Sequence, residues 1–326
     1  MRILLDGYFD HNIGDDLMLT LAARELGEHR LYLPSDKLQI DGVEYTTEKT
    51  GFDAYLKVTG SGFYIYNLKG IYYRLREMHR ETRAAKWRGV IGCNITEMKD
   101  GFALKLIKTH LSTFDFITVR DTFSRDYIKE NIFGANVSVY PDIVFSLPDE
   151  MIPDAASANQ LGISVHNAAD FAALAETADR FIAETGGRVL LLCFDSGAEN
   201  DIAAAERVRE LSQNKEHIEI VPYETISGML EAMKRCKCIL GARFHSVILS
   251  ARMGIPFVPL MYSTKTAHVL DDLGYDRERF TAQSFDAEKA AKRVLAETTF
   301  KLPPDTIHLA KRHAESFNEY LKQQSK

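Results

Sequence analysis

Short apolar runs closed by Gly, Asp or Asn alternate along this chain with longer amphipathic stretches. RILLD, DAYLKVTGSG, RGVIGCNI and DFITVRD stand in the first half, and LGISVHN, RVLLLCFD, CILGA and IPFVPLMY in the second. A run that is apolar on both alternating faces fits a strand covered on both sides, and helices between such strands supply the cover. The rhythm predicts an α/β chain built on parallel sheets. It is interrupted once, by DEMIPDAASANQ at residues 149–160, which is polar, without period, and reads as a linker. The expected organisation is two doubly wound, Rossmann-like α/β domains, residues 1–150 and 160–326, facing a cleft. Strand C-terminal ends and the loops after them should line that cleft. Residues 7–16, 60–67, 120–124, 142–146 and 241–246 are those loops.

Of the predicted helices, LMLTLAARELG stops at Gly27, YYRLREMHRETRAAKW is long and basic, and TFSRDYIKENIFG closes at Gly134. The 326 residues are 45 % hydrophobic, enough for a large core, and 40 Lys and Arg against 46 Asp and Glu leave a net charge of -6. That balance argues against nucleic acid as a partner. Nothing approaches the ~18 apolar residues of a membrane span, and MRILLDGYFD lacks the run of a secretory signal, so the expected location is the cytoplasm. Cys93, Cys193, Cys236 and Cys238 read as reduced core thiols. Cys236-Lys-Cys238 has no second Cys/His pair at zinc spacing, and no metal is expected.

The loops offer chemistry with a structural alternative beside each. Asp15 and Asp16 open a helix, where carboxylates cap and complement the dipole; next to Gly14, which brings backbone close to a ligand, either carboxylate also suits a base for a hydroxyl. Gly60-Ser61-Gly62 is a tight turn or a set of N–H groups open to an anion. Arg120 pairs with an acid or forks onto a carboxylate or phosphate; Asp121 caps the next helix and Asp142 a turn. Neither GxGxxG nor a Walker sequence is present.

KCILGARFHSVILSARMGIPFVPLMYSTK, residues 237–265, is the most informative stretch. It reads as a buried strand, a turn, an almost wholly apolar helix and a second buried strand. Arg252 suits the dipole at the helix end, whereas Arg243 and His245 stand at the start, where partial positive charge repels cations. An anion bound there would reconcile them, with Tyr262 and Lys265 brought to the same edge by the second strand.

Taken together, GYFDHNIGDDLML, VTGSGF, VRDTFS, YPDIV and GARFHSVILSARMGIPFVPLMYSTK resemble, in order, the motifs of the polysaccharide pyruvyl transferase family over roughly residues 3 to 275. The glycine cluster is shorter than is common there, and GISVHN carries His166-Asn167 where members often show Arg. The resemblance implies a GT-B-like fold, with the acceptor side in the N-terminal domain, the donor side in the C-terminal one, and the last helix free to pack back on the first domain. It implies transfer of pyruvate from phosphoenolpyruvate to a sugar as a ketal, with phosphoenolpyruvate as co-substrate and no other cofactor. The acceptor would be a sugar, an oligosaccharide or a lipid-linked glycan. Arg243, His245, Arg120 and Lys265 would hold the donor, His245 would act as general acid, and Asp15 or Asp16 as base. Gly14, Gly60, Ser61, Gly62 and Tyr262 would line the site. Two other readings share the scaffold: a GT-B glycosyltransferase using a nucleotide sugar, and a non-catalytic carbohydrate- or anion-binding protein.

Overall fold

The computed structural model describes residues 1–65, 67–96, 101–132 and 136–324, with Leu68 known by its backbone. Gly134, the expected helix stop, lies outside them. The chain divides into two compact units: Met1–Phe9, Asp15–Ser146 and Asp305–Lys326 form the first, Asp10–Gly14 and Leu147–Pro304 the second.

The first unit is a parallel seven-stranded sheet in the order β3-β2-β1-β4-β5-β6-β7. Its strands are β1 (Arg2–Asp6), β2 (Arg30–Leu33), β3 (Val43–Tyr45), β4 (Phe52–Val58), β5 (Ala85–Cys93), β6 (Phe116–Val119) and β7 (Val137–Val139). The helices are α1 (Ile13–Glu25), α2 (Leu68–Ala84), α3 (Phe102–Leu111), α4 (Thr122–Asn131) and, from the far end of the chain, α11 (Thr306–Gln324). Leu4, Tyr55, Val90, Ile117 and Val119 pack with Phe63, Ile107 and Phe114 in its core. Helix α11 lies on β5 and β6, where its Phe317 ring meets Gly89 and Phe116.

The second unit repeats the plan with six parallel strands, in the order β10-β9-β8-β11-β12-β13. They are β8 (Gln160–Ser164), β9 (Arg188–Cys193), β10 (Ile218–Pro222), β11 (Cys238–Gly241), β12 (Phe257–Met261) and β13 (Phe280–Thr281). Between them run α5 (Phe171–Thr185), α6 (Asp201–Leu211), α7 (Ile226–Lys234), α8 (Phe244–Met253) and α9 (Thr264–Asp272), followed by α10 (Ala287–Ala296). In both sheets the order reverses beside the first strand, at β1/β4 and β8/β11, and a doubly wound sheet opens its ligand crevice at such a switch point.

Three elements depart from the sequence pattern. The residues expected as a linker are tied into the second unit: Asp149–Met151 form a 3-10 turn, Arg252 Nη2 donates to the Leu147 carbonyl and to Asp149 Oδ1 (2.6 Å), and the Ala158 N–H donates to the Arg235 carbonyl at 2.8 Å. Lys265, expected at the edge to which the second strand leads, sits in the first turn of α9, a helix the pattern does not announce. Helix α2 gives way directly to β5 at Ala85, so the end of the RAAKW segment is strand. All four cysteines are free and buried, and burial pushes the Cys93, Cys193 and Cys236 thiols up to about 12. No helix among the described residues is long and apolar enough to cross a membrane.

Candidate active site

Strand β11 delivers Arg243 to the N-cap of α8, and the helix ends at Gly254 in the left-handed conformation. Along α8 every residue is buried except His245, which is half-buried. The turn before it is held by Ser164: the Arg243 N–H donates to Ser164 Oγ at 3.0 Å, and the Ser164 and Ser246 hydroxyls pair at 2.7 Å. Both groups leave the β8/β11 switch point, which is why chemistry collects there.

The guanidinium of Arg243 is turned onto carboxylates. Nε and Nη2 fork onto buried Asp201, with Nε to Oδ2 at 2.9 Å, and Nη1 bonds Glu199. Burial disfavours the Arg243 charge, but the hydrogen bond and charge of Asp201, then those of Glu199, outweigh it and raise the pKa above its ordinary value. Burial pushes the Glu199 carboxyl up, and Arg243 more than reverses this, leaving it below the usual range. The two partners differ in access: Asp201 is fully buried, whereas the Glu199 side chain is 52 % exposed.

His245 packs against Gly14, the last residue of the segment Asp10–Gly14. The second unit holds this segment by hydrogen bonds: Asp10 Oδ2 accepts from the Ala198 N–H (2.9 Å), the His11 carbonyl from the Ser196 N–H (3.1 Å), the Asn12 amide donates to Asp195 Oδ2 (3.1 Å), and the Ile13 N–H donates to the Phe194 carbonyl (3.1 Å). A Cβ on Gly14 would fall 1.7 Å from His245 Nδ1, so only glycine leaves room for the imidazole. The ring also meets Phe244 edge to face, with centroids 5.0 Å apart.

Beside these groups, His166 after β8 stacks on Tyr262 after β12 at 3.9 Å between centroids, and Lys265 Nζ lies 5.0 Å from the Tyr262 centroid. Burial, then the Arg243 charge, pull His166 down to about 4 against the raising effect of Glu199, with Lys265 adding to the fall. His166 is therefore neutral near pH 7.

The remaining predicted residues lie in the first unit. Arg120, after β6, is buried: Nη1 donates to Asp142 Oδ2 at 2.9 Å and Nη2 to Asn94 Oδ1 at 2.7 Å. A Cβ on Gly60 would come within 2.9 Å of Nη1. The Ser61 hydroxyl donates to Asn94 Oδ1 (2.9 Å), and the Gly62 carbonyl accepts from Arg74. Asp121 caps α4 through the Ser124 N–H at 2.7 Å. Asp15 and Asp16 occupy the first turn of α1, Asp15 half-buried and Asp16 buried. The second unit thus collects Gly14, Arg243, His245, Tyr262 and Lys265, while Asp15, Asp16, Gly60, Ser61, Gly62 and Arg120 belong to the first.

The polysaccharide pyruvyl transferase family model matches residues 12–264, a span that runs from Asn12 through the Arg243–His245 block to the start of α9. The chain belongs to the polysaccharide pyruvyl transferase family. No curated protein sequence matches it. Among solved structures it is similar to the UDP-GlcNAc 2-epimerase of Methanocaldococcus jannaschii (10 % identity, TM-score 0.65, 99 % of this chain and 100 % of that one). It is similar also to the Neisseria meningitidis UDP-GlcNAc 2-epimerase bound to UDP-GlcNAc (8 %, 0.60, 99 % and 100 %) and to a glycosyltransferase of Rickettsia africae (10 %, 0.53, 99 % and 93 %). At these identities the likeness is one of fold, and the fold is GT-B-like.

Residues missed by sequence reasoning are Asn12, Asn94, Asp195, Glu199 and Asp201. Asp201 looked like an ordinary acid in a first helical turn, which hid its pairing with an arginine 42 residues away. His166 did stand out, as the place where the family motif changes.

Proposed function

We propose that the protein transfers pyruvate from phosphoenolpyruvate to two hydroxyls of a sugar, as a ketal, in the making of a polysaccharide. The observation that carries this reading is the Arg243–His245 pair at the front of a buried helix, its imidazole seated on Gly14, in a chain of the pyruvyl transferase family. Phosphoenolpyruvate brings a carboxylate and a phosphate. In the free protein Arg243 and Lys265 are offset by Asp201 and Glu199, so a donor must displace one carboxylate. Glu199 is the exchangeable one, being exposed and bound through Nη1 alone of the fork. Asp201 keeps Nε and Nη2 fixed, which presents Nη1 to the incoming anion.

In the reaction, C3 of the enol gains a proton and C2 becomes electrophilic. Two sugar hydroxyls add to C2, the C2–O bond to phosphate breaks, and inorganic phosphate leaves. His245 is the group proposed to deliver the proton to C3, with Lys265 as a donor contact. In the first unit Asp15 or Asp16 takes the proton of the first hydroxyl, which returns to His245 through solvent, and the leaving phosphate carries off the proton of the second; Gly60-Ser61-Gly62 lines the acceptor side, and Arg120 keeps that loop in place. The acceptor is a sugar, an oligosaccharide or a lipid-linked glycan, and the scheme requires no cofactor besides the co-substrate.

Incubation with phosphoenolpyruvate and a panel of glycosides tests this. Phosphate release should depend on the sugar, and one glycoside should gain the mass of a pyruvate ketal. If nucleotide sugars such as UDP-GlcNAc, the ligand of the Neisseria meningitidis epimerase, are consumed and phosphoenolpyruvate is not, glycosyl transfer replaces pyruvyl transfer.

A further inference from the structure

Helix α2 sorts its charges by face. Its two carboxylates point inward: Glu81 Oε1 accepts from Lys57 Nζ (2.8 Å) and from the Tyr55 hydroxyl (3.1 Å), Glu81 Oε2 pairs with His110 Nε2 (2.5 Å), and Glu77 accepts from Lys57 and, at 2.6 Å, from Arg74. Lys57 thus bridges Glu77 and Glu81, and His110 takes the remaining oxygen of Glu81. The acids of α2 are thereby consumed within the unit.

The outward face retains only positive charge. Lys69, Arg76 and Arg83 are exposed, and no carboxylate among the described residues pairs with them. His79 is exposed beside Arg83, and Arg80 reaches Asp6 while its side chain stays 49 % exposed. Between the cations stand Tyr72 at 61 % exposure, Tyr73 at 52 % and Leu75 at 49 %. The series 69, 72, 73, 76, 79, 80, 83 keeps the three-and-four spacing of one helix face. Solvated helix faces ordinarily mix both signs. In a chain of net charge -6, a face of cations and tyrosines, edged by exposed Leu75 on one side and by half-buried Glu77, already paired with Lys57 and Arg74, on the other, is a local segregation.

We propose that this face of α2 docks the protein on an anionic lipid bilayer surface, with the arginines and the lysine over the headgroups and Tyr72, Tyr73 and Leu75 in the interfacial layer. Tyrosine suits that layer because its ring is apolar and its tip is wet, and basic residues on an amphipathic face supply the attraction to acidic lipid. Charge complementarity names an anionic partner, and side-chain chemistry selects the bilayer. Arginine, lysine and tyrosine would also hold an acidic glycan, but the apolar surface of Tyr72, Tyr73 and Leu75, each about half exposed beside the cations, is covered only where the anion comes with a hydrocarbon layer.

Flotation of the full chain with phosphatidylcholine vesicles, with and without phosphatidylglycerol, tests the proposal. Binding is expected to the phosphatidylglycerol vesicles alone and to weaken as salt rises from about 0.1 M to about 1 M. Each cation lost should lower partitioning about fivefold, so the Arg76→Gln/Arg83→Gln variant should bind about 25-fold more weakly. Tyr72→Ser/Tyr73→Ser/Leu75→Ser should also lose binding, at unchanged charge. Both variants should melt like the parent, and Arg207→Gln/Lys292→Gln, which removes two exposed cations of the second unit, should bind vesicles normally. The proposal is overturned by absence of vesicle binding, by equal binding to neutral vesicles, by normal binding of the α2 variants, by equal loss in the Arg207/Lys292 control, or by capture of soluble polygalacturonate without vesicles.

Discussion

Gly14→Ala separates the position of His245 from the stability of the fold. Gly14 lies in the first turn of α1 and has no positive φ, so its backbone accepts alanine. Alanine in place of a helical glycine ordinarily adds about 1 kcal/mol. Here the new Cβ would stand 1.7 Å from His245 Nδ1 and 2.4 Å from Cγ and Cε1. Ordinary contact begins near 3.4 Å, so the ring must retreat by about 1.7 Å (3.4 less 1.7). Overpacking costs about 1–3 kcal/mol, and the propensity gain offsets part of it, which leaves a folded protein within about 2 kcal/mol of the parent. Catalysis is less forgiving. Misplacing a positioned group by about 1 Å costs roughly 10²-fold, and general acid catalysis is worth roughly 10²–10⁴-fold. Turnover in sugar-dependent phosphate release should fall at least about 100-fold while the thermal melt drops by no more than about 8 °C. His245→Ala should lose as much, and the double variant no more, because both substitutions remove one proton donor. Parental turnover in Gly14→Ala, or losses that multiply in the double variant, would refute the assignment.

The clamp on Arg243 should behave asymmetrically. Arg243→Lys leaves buried Asp201 without its fork and should lower both stability, by about 1–3 kcal/mol, and use of phosphoenolpyruvate. Glu199→Gln loosens only the exposed partner and should leave the melt unchanged while lowering the donor KM by up to about fivefold; a raised KM would show that Glu199 is not displaced. Buried His313 accepts from the Thr118 hydroxyl at Nδ1 (2.6 Å) and donates from Nε2 to the Pro141 carbonyl (3.0 Å); burial, the leading cause, brings it down to about 4 despite the opposing Asp142 charge. Its folded pKa is below the unfolded value of about 6.5, so the unfolded chain takes the proton first as pH falls. Stability should be fully present above about pH 6.5 and decline by roughly 3 kcal/mol toward pH 4. His313→Gln should flatten that part of a urea-midpoint profile, and an equally steep profile in the variant would rule His313 out as the source.

Much of the fold could be read because alternation of apolar runs and amphipathic stretches is a local signal. RVLLLCFD and CILGA declare strands in eight residues or fewer, and the Gly-x-Arg-x-His block places Arg243 and His245 at a strand end by local geometry alone. Contacts set by topology left no such mark. Asn12 pairs with Asp195 across 183 residues, and no periodicity in DHNIGDD announces that this segment groups with the second unit. Glu199 stands 44 residues from Arg243, in a loop whose acids have ordinary local explanations. Helix α9 was hidden because TKTAHVLDD follows a strong strand and begins with residues that suit a turn.

The division of the chain also sets the order in which its parts can be completed during synthesis. The first unit needs α11, and 158 residues (147 through 304) separate Ser146 from Asp305. At ribosomal speeds of about 5–20 residues per second, that interval lasts about 10–30 s. Throughout it the sheet surface at Phe116, where the Phe317 ring later settles at 5.4 Å between centroids, has no helix above it. The nascent chain therefore carries an open apolar face for far longer than a helix takes to form.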